Sequence, residues 1–334
     1  MSNSPFITAS IKTFNESQGI EKTIDSIRRQ LAAYPHEIIV ADSLSTDNTR
    51  ELACAKGVTV VSLRHPEDRC CGVGHQLSYL HSQGEFLLLM DGDMTLEDGF
   101  IESALAFMQA NPNYAGVAGR VAMDEGSNYE FKSRKQRINK IYPLGDCDHL
   151  GGGGLYRRSA IEKIGYLTHR GLHGYEEAEL GIRLHQAGYK LHRLDVPYFS
   201  HTSHVMSTLT MLRYRWKSRF LSGPGELLRS AWGKPWFRDT LKITRNEAIF
   251  TLYWLLVFAM LLSGNGTLFG LSLLPLILFI GLKTVKNRSL FAGLHSVLNL
   301  TAFSAGLIRG LLTPLPDPMQ PPENDIVSHQ DAKQ

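Results

Sequence analysis

Phe86-Leu87-Leu88-Leu89-Met90-Asp91-Gly92-Asp93-Met94 is the stretch from which the fold can be read. Five apolar residues in a row are too few for a helix and suit a parallel strand covered on both faces. Two carboxylates directly after such a run are not core material, because burying an unpaired carboxylate is costly. They therefore stand at the exposed carboxyl end of the strand, where open α/β sheets bind their ligands. Two hard oxygen donors there suit Mg2+ or Mn2+, ions that in turn take phosphate oxygens. A plain turn over Asp91-Gly92-Asp93 is the competing reading, and the stretch by itself leaves both open.

Upstream, residues 6–11 predict a first strand, followed by the loop Thr13-Phe14-Asn15-Glu16. Ile20, Ile24, Ile27 and Leu31 recur at helical spacing and predict an amphipathic helix over 18–33. Residues 37–42 predict a second strand, again ending in an acid, Asp42. A helix over 48–56 is expected next, capped by Thr46 or Asp47 and ended by Gly57. A strand over 58–63 and a helix over 72–82, opened by Gly72-Val73-Gly74, complete the run. This β-α-β-α-β-α-β order implies a mostly parallel sheet with right-handed crossovers.

Downstream, a helix is expected over 97–110, stopped by Asn111-Pro112. A strand over 114–123 and a polar surface helix over 125–140 follow. Gly151-Gly152-Gly153-Gly154 either lets backbone approach a ligand closely or makes a flexible loop. Ser159 is expected to cap a short helix over 160–164. Leu180 and Leu184 lie on one face of a helix that starts near Glu176. An acid in a first turn favours the helix dipole by about 0.3–1 kcal/mol. That accounts for one acid, whereas Glu176, Glu177 and Glu179 all stand there. A strand over 191–196 leads to Phe199-Ser200-His201-Thr202-Ser203-His204.

Composition bounds the rest. The chain has 334 residues, 20% charged and 43% apolar, which is globular and not disordered. A net charge of +3 is too small to imply nucleic-acid binding. Its distribution is uneven: residues 213–245 carry nine Lys or Arg against two acids, Glu226 and Asp239. Cys54, Cys70, Cys71 and Cys147 form no C-x-x-C pair and read as reduced thiols, not a zinc site. No signal peptide is evident at the start.

Residues 248–262 and 268–282 are charge-free runs of 15 apolar residues, separated by Ser263-Gly264-Asn265-Gly266-Thr267. A single such run would fit a core helix. Two joined by a short turn, extended by their flanks, predict a membrane hairpin, although a bilayer normally wants about 20 residues per crossing. Lys283, Lys286 and Arg288 fall on the same side as the basic segment, and the positive-inside rule places that side in the cytoplasm. Trp216, Trp232, Trp236 and Phe237 are interleaved with the basic residues, as in a segment at headgroup level; a solvated basic face is the alternative. Residues 290–312 are apolar but carry His295, Asn299, Ser304 and Arg309, so they read as a third span or, preferably, an interfacial helix. The proline-rich end is expected to be disordered.

In order along the chain, Thr13-Phe14-Asn15-Glu16, Val40-Ala41-Asp42, Ser45-Thr46-Asp47-Asn48-Thr49, Asp91-Gly92-Asp93, Gly151 to Arg158 and Glu176-Glu177 resemble the family-two glycosyltransferases of the GT-A fold, membrane-attached bacterial type. The resemblance covers residues 5–205. It implies an inverting, metal-dependent hexosyl- or related transferase using a nucleotide-diphospho-sugar and Mg2+ or Mn2+. On that resemblance Thr13, Asn15 and Glu16 line the nucleotide, Asp42 contacts the base, and Asp91 lies near the ribose. Asp93 is the metal ligand of the DXD motif, His201 a candidate third metal or diphosphate ligand with His204 as alternative, and Glu177 the catalytic base, with Glu176 and Glu179 as competitors. Arg69 either reaches the diphosphate or is a solvated loop arginine.

The sequence also departs from the family. Lys12 stands where Pro is usual, and the base is Glu where Asp is commoner. Leu212-Arg213-Tyr214-Arg215-Trp216 keeps only the Arg-Trp of the processive synthases' Gln-x-x-Arg-Trp, which favours transfer of a single sugar.

The expected organisation is a GT-A catalytic domain over 1–210, a basic aromatic juxtamembrane segment over 211–247, a transmembrane hairpin over 248–282, an interfacial or third membrane helix over 283–313 and a disordered tail over 314–334. The expected activity is transfer of one sugar to a membrane-held, lipid-linked or glycan acceptor in envelope or extracellular polysaccharide biosynthesis. The site would face the cytoplasm at the inner membrane, with other envelope-glycan enzymes as candidate partners. A polyprenyl-phosphate sugar synthase is the close alternative. A non-catalytic membrane-anchored sugar-binding protein is a more distant one, and retention of Asp91, Asp93 and Glu177 speaks against it. A nicotinamide-binding Rossmann enzyme is disfavoured, since Gly72-Val73-Gly74 has Leu77 in place of the third glycine and does not follow the first strand.

Overall fold

The computed structural model describes residues 4–123, 137–201 and 207–330. The chain forms two compact units, one of Met1–Thr210 with Pro316–Gln334 and one of Met211–Leu315.

In the first unit β1 (Ile7–Thr13), α1 (Ile20–Leu31), β2 (His36–Asp42), α2 (Thr49–Ala55), β3 (Thr59–Leu63), α3 (Cys71–Leu80) and β4 (Phe86–Asp91) alternate. β1 runs parallel to both β2 and β4, and β2 parallel to β3, giving the order β3-β2-β1-β4. Phe86 to Met90 are all buried, as a strand covered on both faces requires. Ile20, Ile24, Ile27 and Leu31 of α1 are fully buried, so the helical spacing marks its core face. Asn48, not Thr46 or Asp47, is the cap position of α2, and Asp47 Oδ1 accepts from Thr49 N at 3.1 Å one residue before it.

Next come β5 (Met94–Leu96), α4 (Phe100–Ala110), β6 (Tyr114–Met123), the helical turn α5 (Ile138–Ile141), β7 (Gly145–Asp146), β8 (Gly154–Arg157), α6 (Arg158–Ile164), α7 (Glu176–Gln186) and β9 (Lys190–His201). Here the sheet becomes mixed. β8 is antiparallel to β4 and β6, β9 is parallel to β6, and β5 and β7 are antiparallel to β9. β9 reaches His201, well past the 191–196 expected, because it changes partners along its length through irregular registers. Ser159 sits inside α6 and does not cap it; Arg157 is the cap position. Most of the helix expected over 125–140 lies outside the described residues.

The tail is a correction. Residues 324–328 were expected to be disordered and instead form β10 (Asn324–Ser328), antiparallel to β3. An edge strand leaves a row of backbone groups unpaired, and β10 satisfies them. Arg64 Nη2 lies 2.5 Å from Asp325 Oδ1, Gln330 Oε1 accepts from Ile38 N at 2.8 Å, and Arg170 Nη1 donates to Gln320 O at 2.6 Å.

The second unit is helical: α8 (Thr208–Lys217) leads into it, then α9 (Gly223–Ser230), α10 (Phe237–Ile243), α11 (Arg245–Leu262), α12 (Gly266–Asn287) and α13 (Leu290–Leu312). The last three are each long and apolar enough to cross a membrane. Asn265 Oδ1 accepts from Thr267 N and Leu268 N at 3.1 Å, which caps α12 and fixes the tight turn after α11.

Candidate active site

The parallel register sets Lys12 beside Asp91 and Thr13 beside Asp42, so β1, β2 and β4 end together. Asp42 is fully buried and well satisfied. It accepts from Ser45 N at 3.0 Å, Ser62 Oγ at 3.2 Å and Thr13 Oγ1 at 3.4 Å, with Arg50 Nε at 3.8 Å. Asn15 adopts the left-handed conformation (φ 60°), which asparagine tolerates better than most residues. Its Oδ1 accepts from Thr46 N at 2.7 Å and its N donates to Ser45 Oγ at 2.9 Å. Glu16 N donates to Thr49 Oγ1 at 2.8 Å, so the loops after β1 and β2 are sewn together. Arg69 donates from Nε to Ser43 O (2.7 Å) and from Nη2 to Leu44 O (3.0 Å), and stacks over Phe14 at 4.0 Å. Those donors brace the loop after β2 and are not turned outward.

Asp91 and Asp93 sit in different surroundings. Lys12 Nζ lies 3.3 Å from Asp91 Oδ1 and 3.1 Å from Glu176 Oε1, bridging two acids 85 positions apart. His75 Nε2 is 3.8 Å from the same Asp91 oxygen, while its Nδ1 meets Ser10 Oγ at 2.8 Å. Burial penalises the Lys12 charge, but Asp91, Glu176, Cys71 and Glu177 outweigh it and hold its pKa well above the usual value. His75 is driven well below its usual value by burial and by Lys12, so it is neutral. Burial lifts the Asp91 carboxyl, Lys12 opposes this, and Asp93 and Glu176 lift it further. Gly74 is what gives Lys12 room, because a Cβ there would come within 2.5 Å of Lys12 Cβ.

Asp93 Oδ2 instead lies 2.8 Å from His201 Nε2, brought across by the pairing of Met94 in β5 with His201 in β9. Gly92 between the acids is required by packing, since a Cβ would sit 2.8 Å from Thr13 Cγ2. Glu16 is pushed up to about 8 by burial and by Asp93, Asp91 and Asp47, which makes it a hydrogen-bond donor at neutral pH. His204 lies outside the described residues.

Glu177 is placed by the glycine run. Gly151, Gly152, Gly153 and Gly154 all have positive φ (64°, 75°, 85° and 150°), and a Cβ on Gly153 would come within 2.0 Å of Leu89 O. Free of side chains, this loop lies on β4 and turns two N–H groups to one carboxylate. Gly152 N donates to Glu177 Oε2 at 2.7 Å and Gly153 N to Oε1 at 2.5 Å. Burial, then Glu176, raise Glu177 to about 7 against Lys12 and the Gly153 N–H. Its competitors are committed elsewhere. Glu176 pairs with Lys12, and Glu179 accepts from Arg183 Nε at 2.8 Å and Tyr166 Oη at 2.6 Å. Burial alone would raise Glu179, yet Arg183 and Tyr166 hold it below the usual glutamate range.

Sequence reasoning missed Lys12, His75 and Arg193 as parts of this arrangement. Arg193 is fully buried, donates to Gly119 O and Leu150 O, and stands 5.0 Å from the Tyr142 ring, anchoring the chain just before Gly151. Arg193 stands between His192 and Leu194 in a strand that also carries Asp195, so nothing in the sequence set it apart from a solvated arginine.

Among the described residues no group of three or more His, Cys, Asp or Glu side chains forms a metal cluster. The protein supplies a carboxylate and an imidazole, Asp93 and His201, with Asp91 held by Lys12. A carboxylate oxygen and an imidazole nitrogen are donors that would suit a divalent ion such as Mg2+ or Mn2+.

A parallel block opening into a mixed sheet, with acids at its carboxyl ends and a second acid pair at a helix start, defines a GT-A-like fold. Residues 8–165 match the protein-family model described as Glycosyl transferase family 2, and the chain carries a domain of that family. It is 26% identical over 200 residues to the succinoglycan biosynthesis protein ExoA of Rhizobium meliloti, covering 55% of this chain and 59% of that protein. A dolichyl-phosphate beta-glucosyltransferase of Trichomonas vaginalis is 26% identical over 202 residues, 54% of this chain and 51% of its own length. The O-antigen chain rhamnosyltransferase RfbN of Salmonella typhimurium is 26% identical over 199 residues, 55% of this chain and 62% of its own. The matched region thus spans between half and two thirds of these curated relatives. Among solved structures, the mannosyltransferase PcManGT from Pyrobaculum calidifontis, in complex with GDP-Man and Mn2+, superposes with a TM-score of 0.58 at 18% identity, over 93% of this chain and 88% of that one.

Proposed function

We propose that this chain is a membrane-attached inverting glycosyltransferase. It moves one sugar from a nucleotide-diphospho-sugar to a membrane-held, lipid-linked acceptor in envelope or extracellular polysaccharide biosynthesis, with its site on the cytoplasmic face of the inner membrane. The observation that carries this reading is the division of acids around the end of β4. Asp93 meets His201, Asp91 meets Lys12, and Glu177 is cradled by two backbone N–H groups. The three apolar helices and the named activities of the curated relatives, polysaccharide or lipid-linked in each case, support the acceptor class. GDP-Man and Mn2+ in the solved neighbour support the donor and ion class.

Asp93 and His201 would hold a divalent ion, Mg2+ or Mn2+, whose charge would favour departure of the nucleoside diphosphate. Asn15 and Glu16 line the nucleotide, Thr13 and the buried Asp42 hold the loops beneath it, Arg69 walls it with Phe14, and Asp91, fixed by Lys12, faces the ribose. Glu177 takes the proton of the acceptor hydroxyl as that oxygen bonds the anomeric carbon and the bond to the diphosphate oxygen breaks. One displacement from the face opposite the leaving group inverts the centre. A carboxylate near pH 7 is matched to that task.

A thermal-shift panel of nucleotide-diphospho-sugars with Mn2+ tests the donor site, because a ligand far above its Kd stabilises measurably. One donor is expected to raise the melting temperature of the native chain and not of Asp93→Ala; no shift with any donor would contradict the reading. The relative that acts on dolichyl phosphate favours a second reading, a polyprenyl-phosphate sugar synthase. Product analysis with polyprenyl phosphate as sole acceptor separates the two.

A further inference from the structure

We infer that the chain crosses the bilayer twice, through α11 and α12, and that α13 lies along the membrane surface on the side of the sheet, docking an apolar face onto lipid. The inference rests on the membrane attachment proposed above. Its first support is β10. Residues 324–328 hydrogen-bond to β3, and Arg64–Asp325 and Ile38–Gln330 bind the same segment to the sheet. Strands of one sheet share one compartment, because a bilayer cannot stand between paired backbones. Thr210 and Pro316, both in the sheet's unit, are therefore on one side, and the chain between them crosses an even number of times. Three helices are long and apolar enough to cross, so at least one of them does not.

Charge selects which. If α11 and α12 cross, Lys283, Lys286 and Arg288 return to the side that holds the nine basic residues of 213–245. If α11 and α13 cross, or α12 and α13, those three cations end on the far side, against the positive-inside rule.

The surface of α13 agrees. Leu290, Leu294, Leu298, Ile308, Leu312 and Phe291 are exposed, and at about 100° per residue they fall within one stripe roughly 100° wide that runs from end to end of the helix. Ala292, Gly293, Ser304, Gly306, Leu307 and Gly310 are buried on the other side. There the fit is close: a Cβ on Gly306 would sit 2.0 Å from Leu221 O and one on Gly310 2.2 Å from Ser222 O. The end of α13 is tied to the basic segment, with Arg309 Nη1 donating to Trp216 O at 2.9 Å and Arg229 Nη1 to Leu311 O at 2.6 Å. The apolar stripe runs the whole length of the helix while its opposite, small-residue side is occupied by protein, which leaves the stripe to face lipid.

Single cysteines introduced in the full-length chain test this in sealed membrane vesicles of both orientations, read with a membrane-impermeant maleimide above the native labelling. Ser263→Cys, Asn287→Cys and Val327→Cys all fall at exposed positions. Asn287→Cys and Val327→Cys are expected to react from one side and Ser263→Cys from the other. Val327→Cys reacting from the side of Ser263→Cys would mean three crossings and overturn the surface position of α13. Asn287→Cys reacting from that side would overturn the choice of α11 and α12. All three reacting from one side would mean that the hairpin does not cross, and would overturn the membrane reading itself.

Discussion

Three glutamates within four positions of α7 meet three different fates, and the difference is set by what each carboxylate touches. Glu179 faces Arg183 inside the fold, Glu176 faces Lys12, and Glu177 faces two glycine N–H groups. Burial and the neighbouring Glu176 raise the pKa of Glu177 to about 7. A base must be deprotonated, so activity is lost as pH falls through that value. The pH profile of kcat/KM is expected to show an acid limb near 7; a limb in the ordinary glutamate range, about 4.3, would contradict the assignment. Lys12 is the second residue-scale test. Lys12→Met leaves Asp91 and Glu176 without their shared cation. Hydrogen bonds to charged groups are worth about 1.5–3 kcal/mol, so a loss of roughly 10–100-fold in donor affinity is expected, measurable by titration calorimetry. The acids were legible in the sequence because two follow an apolar run and three crowd one helix turn. Lys12 was not, because one lysine at a strand end is indistinguishable from a solvated one until the partners 79 and 164 positions away are folded against it.

At the scale of elements, the glycine run is a structural requirement and not slack. Gly153 has both a positive φ and no space for a Cβ, whereas Gly99 has a positive φ of 83° and nothing within 4 Å. Gly153→Ala is therefore expected to abolish transfer and lower the melting temperature. Gly99→Ala should keep activity and cost about 1–2 kcal/mol for its left-handed backbone; thermal unfolding in detergent and a transfer assay compare the two. Helical spacing located α1 by the face it buries and α7 by Leu180 and Leu184, while short apolar runs located β2 and β4, which are buried on both faces. Periodicity failed for β9, whose twelve residues pair in turn with three strands and so show no single alternation. It failed for β10 too, where the apolar part is only Ile326-Val327 behind a run of prolines.

At the scale of the whole chain, the tail closes a sheet edge 261 residues from its partner, a contact no local pattern could reveal. It also reaches the donor side: Gln320 O accepts from Arg170, Arg170 Nη2 binds Asp68 at 2.7 Å, and Arg69 follows. Truncation after Leu315 is expected to lower the melting temperature by roughly 5–10 °C, a few kcal/mol for a domain of this size, and to weaken donor binding. An unchanged melting temperature would show the strand to be dispensable. The central claim, that Asp93, His201 and Glu177 form one transferase site, is tested most directly by following labelled sugar from a nucleotide-diphospho-sugar into the lipid extract of membranes holding the full-length chain and Mn2+. The native chain is expected to label the lipid fraction. Glu177→Gln should bind donor as the native chain does yet transfer about 10²–10⁴-fold more slowly, and Asp93→Ala should lose both. Transfer by Glu177→Gln at the native rate would contradict the account.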